Sequence, residues 1–125
     1  MVPQDRKYTQ EHEWILVEGS QGTVGVTEFA AHELGDIVFV ELPAVGSSFK
    51  QGDPCGTIES VKAVADLYLP VSGEIVAVND AVSGSPELLN SDPFGQGWLV
   101  KVKLGAPAEL DALLDAGAYG ELLGG

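Results

Sequence analysis

Cations are scarce in this chain. Its 125 residues carry six lysines and arginines against 19 aspartates and glutamates, for a formal net charge of -13. Phosphate backbones and anionic membrane surfaces repel such a surface, which argues against nucleic acid and lipid headgroups as partners. The same charge favours solubility and steers the protein toward electropositive entrances on other molecules. Cysteine is nearly absent as well. Cys55 stands alone, so no disulfide can form within the chain, and a reducing compartment fits. Flanked by Pro54 and Gly56, it reads as a small packed side chain rather than a reactive thiol. No apolar run reaches the length of a membrane span. Met1 to Lys7 lack the apolar core of a signal peptide. The expected compartment is the cytoplasm for a bacterial chain, or the mitochondrial matrix for a eukaryotic one whose transit peptide has been removed.

Familiar catalytic apparatus is missing too. His12, His32 and Cys55 have no metal-ligand spacing. There is no serine elbow of hydrolase type and no glycine loop that would cradle a phosphate between strand and helix. Carboxylates abound, but in so acidic a chain their pairing carries little information. The chain therefore does not read as an autonomous enzyme.

What is present is a globular composition, 45% hydrophobic and 20% charged. One domain spanning 1–125 is expected, with a β core over about 8–104 and a helical tail over 106–123. Tyr8 to Val17 reads as an early strand or hairpin, and Glu18 to Gly22 as a turn. Thr23 to Val26 is the next strand. Thr27 is placed to cap a short helix from Glu28 to Leu34 that ends at Gly35, with His32 and Glu33 as surface groups. Ile37-Val38-Phe39-Val40 is an apolar run suited to a strand covered on both faces. Ser72-Gly73 reads as a turn and Glu74 to Val78 as a strand. Ser85-Pro86-Glu87-Leu88-Leu89 has the cap and proline of a short helical turn. Asp92 to Gly97 is a loop, and Trp98 to Leu104 alternates as a strand. In the tail, Pro107 begins a helix with Leu110, Leu113 and Leu114 on one face, and Gly117 breaks it before a second helix around Tyr119 to Leu123. Packing on the chain's own sheet is the expected fate of that tail.

The stretch from Gly56 to Pro70 reads as two short strands with Lys62 at the bend. Val61 and Lys62 do not favour φ > 0, which argues against a tight primed turn and for a wider loop on a type I turn. Lys62 is the only basic residue between positions 51 and 100. By itself, a lone lysine at a hairpin tip is more often a solvated side chain than a functional one.

A faint internal repeat relates Gly35-Asp36-Ile37-Val38 to Gly73-Glu74-Ile75-Val76, an offset of 73 − 35 = 38. Asp53-Pro54-Cys55-Gly56 relates to Asp92-Pro93-Phe94-Gly95, and Gly56 to Lys62 relates to Gly97 to Lys103. The repeat implies two four-strand halves packed about a pseudo-twofold axis as a flattened sandwich, with Lys62 at the hand-over between them.

At Glu59-Ser60-Val61-Lys62-Ala63 the chain resembles the H proteins of the glycine cleavage system. The likeness extends through Tyr8-Thr9, Glu11-His12-Glu13-Trp14, Val24-Gly25-Val26-Thr27 and Leu34 to Pro43. It continues through Pro70 to Glu74, Ser85 to Leu88, Asn90 to Pro93, Gly97-Trp98-Leu99 and the acidic tail. The order and spacing of these motifs make the resemblance specific from about Tyr8 to Leu122.

The resemblance implies a mainly β barrel-sandwich hybrid, the flattened sandwich of lipoyl domains, with short helices and a helical C-terminal tail. It implies a carrier rather than a catalyst, with lipoate joined to Lys62 through an amide. Stem and acyl chain would reach about 14 Å, from about a dozen bonds in series. The implied partners are a pyridoxal-phosphate glycine decarboxylase (P protein) and a tetrahydrofolate-dependent aminomethyltransferase (T protein). A flavin-dependent dihydrolipoamide dehydrogenase (L protein) and a lipoate-attaching enzyme complete the set. The carrier supplies proximity and protection to the aminomethyl group in transit, and a monomer is expected. Glu59, Ser60, Val61 and Ala63 form the attachment motif. Glu13 and Asp66 match acidic positions beside the folded-back arm. Either could pair with its ammonium, or simply be solvated or hydrogen-bonded within the fold. The sequence departs at Glu11 and Glu33, where some relatives place a serine and a histidine. Gly73 and Val71-Ser72 would shape a turn rather than touch the arm.

Two related carriers remain as alternatives, a lipoyl domain of a 2-oxoacid dehydrogenase and a biotin carrier domain. The former commonly have Asp-Lys-Ala and long linkers, and the latter flank the lysine with methionines. Here Val61 and Ala63 flank it. A protein-interaction or lipoate-relay module that keeps the lysine is the reading from a different class.

Overall fold

A computed structural model describes residues 2–124. The chain folds into two antiparallel sheets. The larger has six strands in the order β1 (Lys7–Tyr8), β2 (Glu13–Glu18), β3 (Gln21–Val26), β9 (Val100–Leu104), β8 (Gly73–Val78) and β5 (Ser48–Phe49). The smaller has three, β4 (Ile37–Glu41), β6 (Pro54–Ser60) and β7 (Val64–Tyr68), with β6 in the middle. Alternation along the strands sends one set of side chains into a shared core. Ile15, Val24, Val100 and Val102 from the large sheet join Ile58 and Leu67 from the small one. Each fully buried aliphatic side chain of this kind contributes roughly 1.5–3 kcal/mol.

The helix after β3 forms as its caps dictate. α1 (Glu28–Leu34) starts where Thr27 Oγ1 accepts the Ala30 amide at 3.3 Å, and it ends where Gly35, at φ 81°, donates to Ala31 O at 3.1 Å. His32 and Glu33 are exposed, as expected. Two elements escaped the sequence reading. The two-residue β5 is one, too short to carry a period. The other is α2 (Asp80–Gly84), announced only by Asn79, whose side chain accepts the Ala81 amide at 3.2 Å. The helical turn expected from Ser85 begins later, as α3 (Leu88–Ser91).

Four expectations need correction. First, β4 is not covered on both faces. A register break between Ile37 and Phe39 turns Val38 and Phe39 outward together, each 50% exposed, while Ile37 and Val40 stay buried. Second, the strands divide six and three rather than four and four. The repeat survives in a narrower form: β8 and β9 pair as β4 and β6 do, and the β8 ladder breaks between Ile75 and Ala77, which lies 75 − 37 = 38 residues on from the break in β4. Third, Gly73 already belongs to β8 rather than to a turn. A side chain there would collide with Lys103 O of β9, so close approach of a neighbouring strand requires the glycine. Trp98 and Leu99 likewise precede the last strand, which begins at Val100.

Fourth, the tail breaks in a different place. Pro107–Ala112 is a 3-10 segment, and Leu114 is extended, its backbone paired with Tyr8 through hydrogen bonds of 2.7 and 2.8 Å. Asp115 then caps α4 (Ala116–Leu122), accepting the Ala118 amide at 2.8 Å, and Gly117 lies inside that helix. A bridge to β1 and a capping aspartate outweigh the helix-breaking cost of one glycine, about 1 kcal/mol. The tail does pack on the body. Tyr119 is fully buried and stacks on Tyr8 with ring centroids 4.7 Å apart.

Candidate functional site

The β6–β7 hairpin is built around Ser60. Glu59 pairs with Val64, which leaves Val61 and Lys62 as the tip. The loop is therefore tighter than expected, yet neither tip residue adopts positive φ. His12 is the only non-glycine residue that does so among those described. The Ser60 side chain resolves the conflict. Its hydroxyl oxygen accepts the amides of Lys62 at 3.2 Å and Ala63 at 3.0 Å, and the hydroxyl donates to Ala63 O at 3.2 Å. The Ser60 amide closes the turn on Ala63 O at 2.8 Å. A buried serine thus does the work that a glycine-rich primed turn does elsewhere.

The tip is also moored to the loop after α1. Val61 N donates to Asp36 O at 3.1 Å. Asn90 clamps that loop from below, donating to Gly35 O at 2.8 Å and accepting Ile37 N at 3.0 Å. The methylenes of Lys62 lie over Gly35, where an added Cβ would sit 3.4 Å from Lys62 Cε. The lysine is exposed, and the one salt bridge among the described residues joins Arg6 and Asp5 instead. A cleft of about 480 Å³ lined by Glu28, Ala31, His32, Gly35, Asp36 and Asn90 opens beside this point. A rigid base, an exposed primary amine without a carboxylate partner and open space at its side are what a covalently attached acyl arm needs.

The other motif residues take distinct places. Glu59 is exposed on the outer face of β6, and Ala63 is exposed beside the tip. Val61 is 69% exposed. Asp66 is exposed on β7, level with Thr57 of β6. Glu13 lies elsewhere. It is 2% exposed, its Oε1 accepts the Thr9 hydroxyl at 2.6 Å, and its Oε2 accepts the Tyr68 amide at 3.3 Å. Burial pushes its carboxyl up to about 7, against the opposing pull of those two hydrogen bonds. The fold therefore gives the two acids different surroundings, one between the sheets and one in solvent. Glu11 and Glu33 are both exposed.

Sequence reasoning missed a buried polar cluster under the tail. The Tyr119 hydroxyl hydrogen-bonds with Thr27 Oγ1 at 2.7 Å and with His12 Nδ1 at 2.8 Å. Burial holds His12 below the ordinary histidine range, so the ring stays neutral at neutral pH. No local signal could have joined residues 92 and 107 positions apart. Cys55 behaves as expected: it is buried, and desolvation followed by the nearby Glu13 charge pushes its thiol up to about 12, which leaves it unreactive.

Residues 6–124 match the family model described as glycine cleavage H-protein. A glycine cleavage system H protein of Symbiobacterium thermophilum is 59% identical over 118 residues, covering 94% of this chain and 92% of that one. The corresponding protein of Cronobacter sakazakii is 58% identical, covering 98% and 95%. Among solved structures, the glycine cleavage system H protein of Mycobacterium marinum superposes with a TM-score of 0.91 at 43% identity, covering 98% of this chain and 99% of that one. Fold, hairpin and similarity agree: this chain belongs to the glycine cleavage H-protein family, whose members are the non-catalytic lipoyl carriers of the glycine cleavage system.

Proposed function

We propose that Lys62 is the residue that carries the lipoyl group. The observation that supports this reading is the separation of charge over the fold. Lys7, Lys101 and Lys103 lie in strands of the six-stranded sheet, Lys50 directly follows its β5 strand, and Arg6 packs its guanidinium 4.6 Å from the Trp14 ring centroid. Lys62 is the one cation attached to the three-stranded sheet, and it stands exposed at the tip. When bound, the lipoyl group supplies a dithiolane that takes up a one-carbon amine unit and is later reoxidised. The chain's own residues hold its base. Ser60 fixes the loop, Asp36 anchors Val61, and Gly35 leaves room for the lysine stem. Glu59, Val61 and Ala63 present the tip to the attaching enzyme. Asp66 offers an exposed carboxylate on the same hairpin, and Glu13 offers a buried one reachable only by displacing Thr9 or Tyr68.

The partners that follow are glycine decarboxylase, the aminomethyltransferase, dihydrolipoamide dehydrogenase and a lipoate-attaching enzyme. By the same proposal the protein acts as a monomer, in the cytoplasm of a bacterium; the compartment rests on the bacterial organisms of its relatives and on a single free thiol, which fits a reducing one. Intact mass after co-expression with an attaching enzyme tests the assignment. Wild type gains the lipoyl mass and folded Lys62→Arg does not, because a guanidinium is not acylated. The same mass gain on Lys62→Arg would overturn it.

A further inference from the structure

We infer that the outer face of the three-stranded sheet is a docking surface for an enzyme that receives the Lys62 arm. The inference rests on the assignment of Lys62 and extends it to the surface around that residue. The register places Phe39, Glu59 and Val64 side by side across β4, β6 and β7. All three are exposed, Phe39 at 50% and Val64 at 65%. Val38 joins them through the β4 register break, and Val61 through the tip. Seven large hydrophobic residues are exposed among those described, and four of them lie here: Val38, Phe39, Val61 and Val64. Scattered exposed apolar groups need no explanation, but a group collected around one functional side chain does.

The charges on this face choose the occupant. One row further from the tip, the register aligns Glu41, Thr57 and Asp66 on the same face. Glu41, Glu59 and Asp66 are exposed, and no lysine or arginine lies in any of the three strands. An apolar strip interleaved with carboxylates is complementary to an apolar pad rimmed by lysine or arginine. A second copy of the chain does not fit. A twofold contact would set this acidic face against itself on a molecule of net charge -13. An arm of about 14 Å can enter a partner's active site only if the surface around Lys62 lies against the mouth of that site. The partner is therefore one of the arm-receiving enzymes, with a cationic rim and an apolar floor at its entrance.

The test uses the lipoylated full-length protein with each enzyme of the system, measuring Kd by calorimetry. Phe39→Thr and Val64→Thr keep strand propensity and remove the apolar surface, while Glu41→Lys reverses one rim charge. Val45→Ser, at an exposed apolar residue outside the three strands, is the control. Thermal melts verify folding, and intact mass verifies lipoylation of each variant. The expected result is at least a tenfold rise in Kd for one or more arm-receiving enzymes with Phe39→Thr/Val64→Thr, a smaller rise with Glu41→Lys, and no change with Val45→Ser. Affinities within twofold of wild type for every such enzyme would overturn the inference. So would a defect confined to the attaching enzyme, or concentration-dependent self-association that the double variant abolishes. Failure of the lipoylation assignment itself would appear separately, as absence of the acyl mass from wild-type Lys62.

Discussion

Glu13 Oε2 accepts the Tyr68 amide at 3.3 Å, and in doing so one buried side chain ties β2 of the large sheet to β7 of the small one. The Thr9 hydroxyl holds the other carboxylate oxygen at 2.6 Å. Tyr68 is the last residue of β7, at the end of the hairpin away from the Lys62 tip, so the ionisation of Glu13 bears on how the base of the hairpin is held.

The consequence is a pH dependence of stability. Burial raises the Glu13 carboxyl from 4.5 to about 7. Below 4.5 it is protonated in both folded and unfolded chains, and its protonated form contributes fully. As pH rises from 4.5 to about 7 the unfolded chain ionises first, so stability falls across that window and levels off above it. The span corresponds to about 3 kcal/mol. Glu13→Gln keeps an acceptor for the Tyr68 amide, reverses the Thr9 contact so that the amide nitrogen donates to the hydroxyl, and removes the titration. Urea denaturation from pH 4 to 8 should give a difference between wild type and variant that changes across this window. A constant difference would mean that Glu13 does not titrate there.

Ser60→Ala should loosen the tip. The substitution removes the acceptor for the Lys62 and Ala63 amides. A cost of about 1–2 kcal/mol is expected, with faster hydrogen exchange at those two amides than elsewhere in β6 and β7. Unchanged exchange at Lys62 and Ala63 would show that the backbone alone holds the loop.

Tyr119→Phe should release the tail. Thr27 is fully buried and would lose its Tyr119 partner, and His12 would lose its own. The expected loss is about 1–3 kcal/mol, read as a drop of several degrees in Tm. Because Thr27 also caps α1, the loss should be smaller than for Thr27→Val, which removes both contacts. Equal Tm values for wild type and Tyr119→Phe would sink this account of the tail.

Association with the partner enzymes should weaken with salt. A protein of net charge -13 is steered by a field that is screened over about 8 Å at physiological ionic strength. The KM for this protein as substrate of each enzyme should rise between low and high ionic strength. A flat profile would contradict steering.

Local chemistry made much of the fold legible in advance. Thr27 and Gly35 bound α1 because a hydroxyl acceptor and a residue free to adopt positive φ satisfy helix ends wherever they occur. The hairpin and its lysine were readable because β-branched runs and an isolated cation are properties of neighbours in sequence. Family membership was readable because many short motifs recur in order along nearly the whole chain.

Tertiary structure alone decided the rest. Whether Ile37 to Val40 is covered on one face or two depends on a register break and on which strands lie across the sheet. The burial of Glu13 depends on Tyr68, 55 residues away, and the tail's course depends on a bridge between Leu114 and Tyr8. The width of the Lys62 loop rests on the buried Ser60 side chain, whose hydrogen bonds reach forward across the tip to Lys62 and Ala63. Propensity and patterning act over a few residues. Pairing register, burial and the hydrogen bonds they force are settled only when distant segments meet.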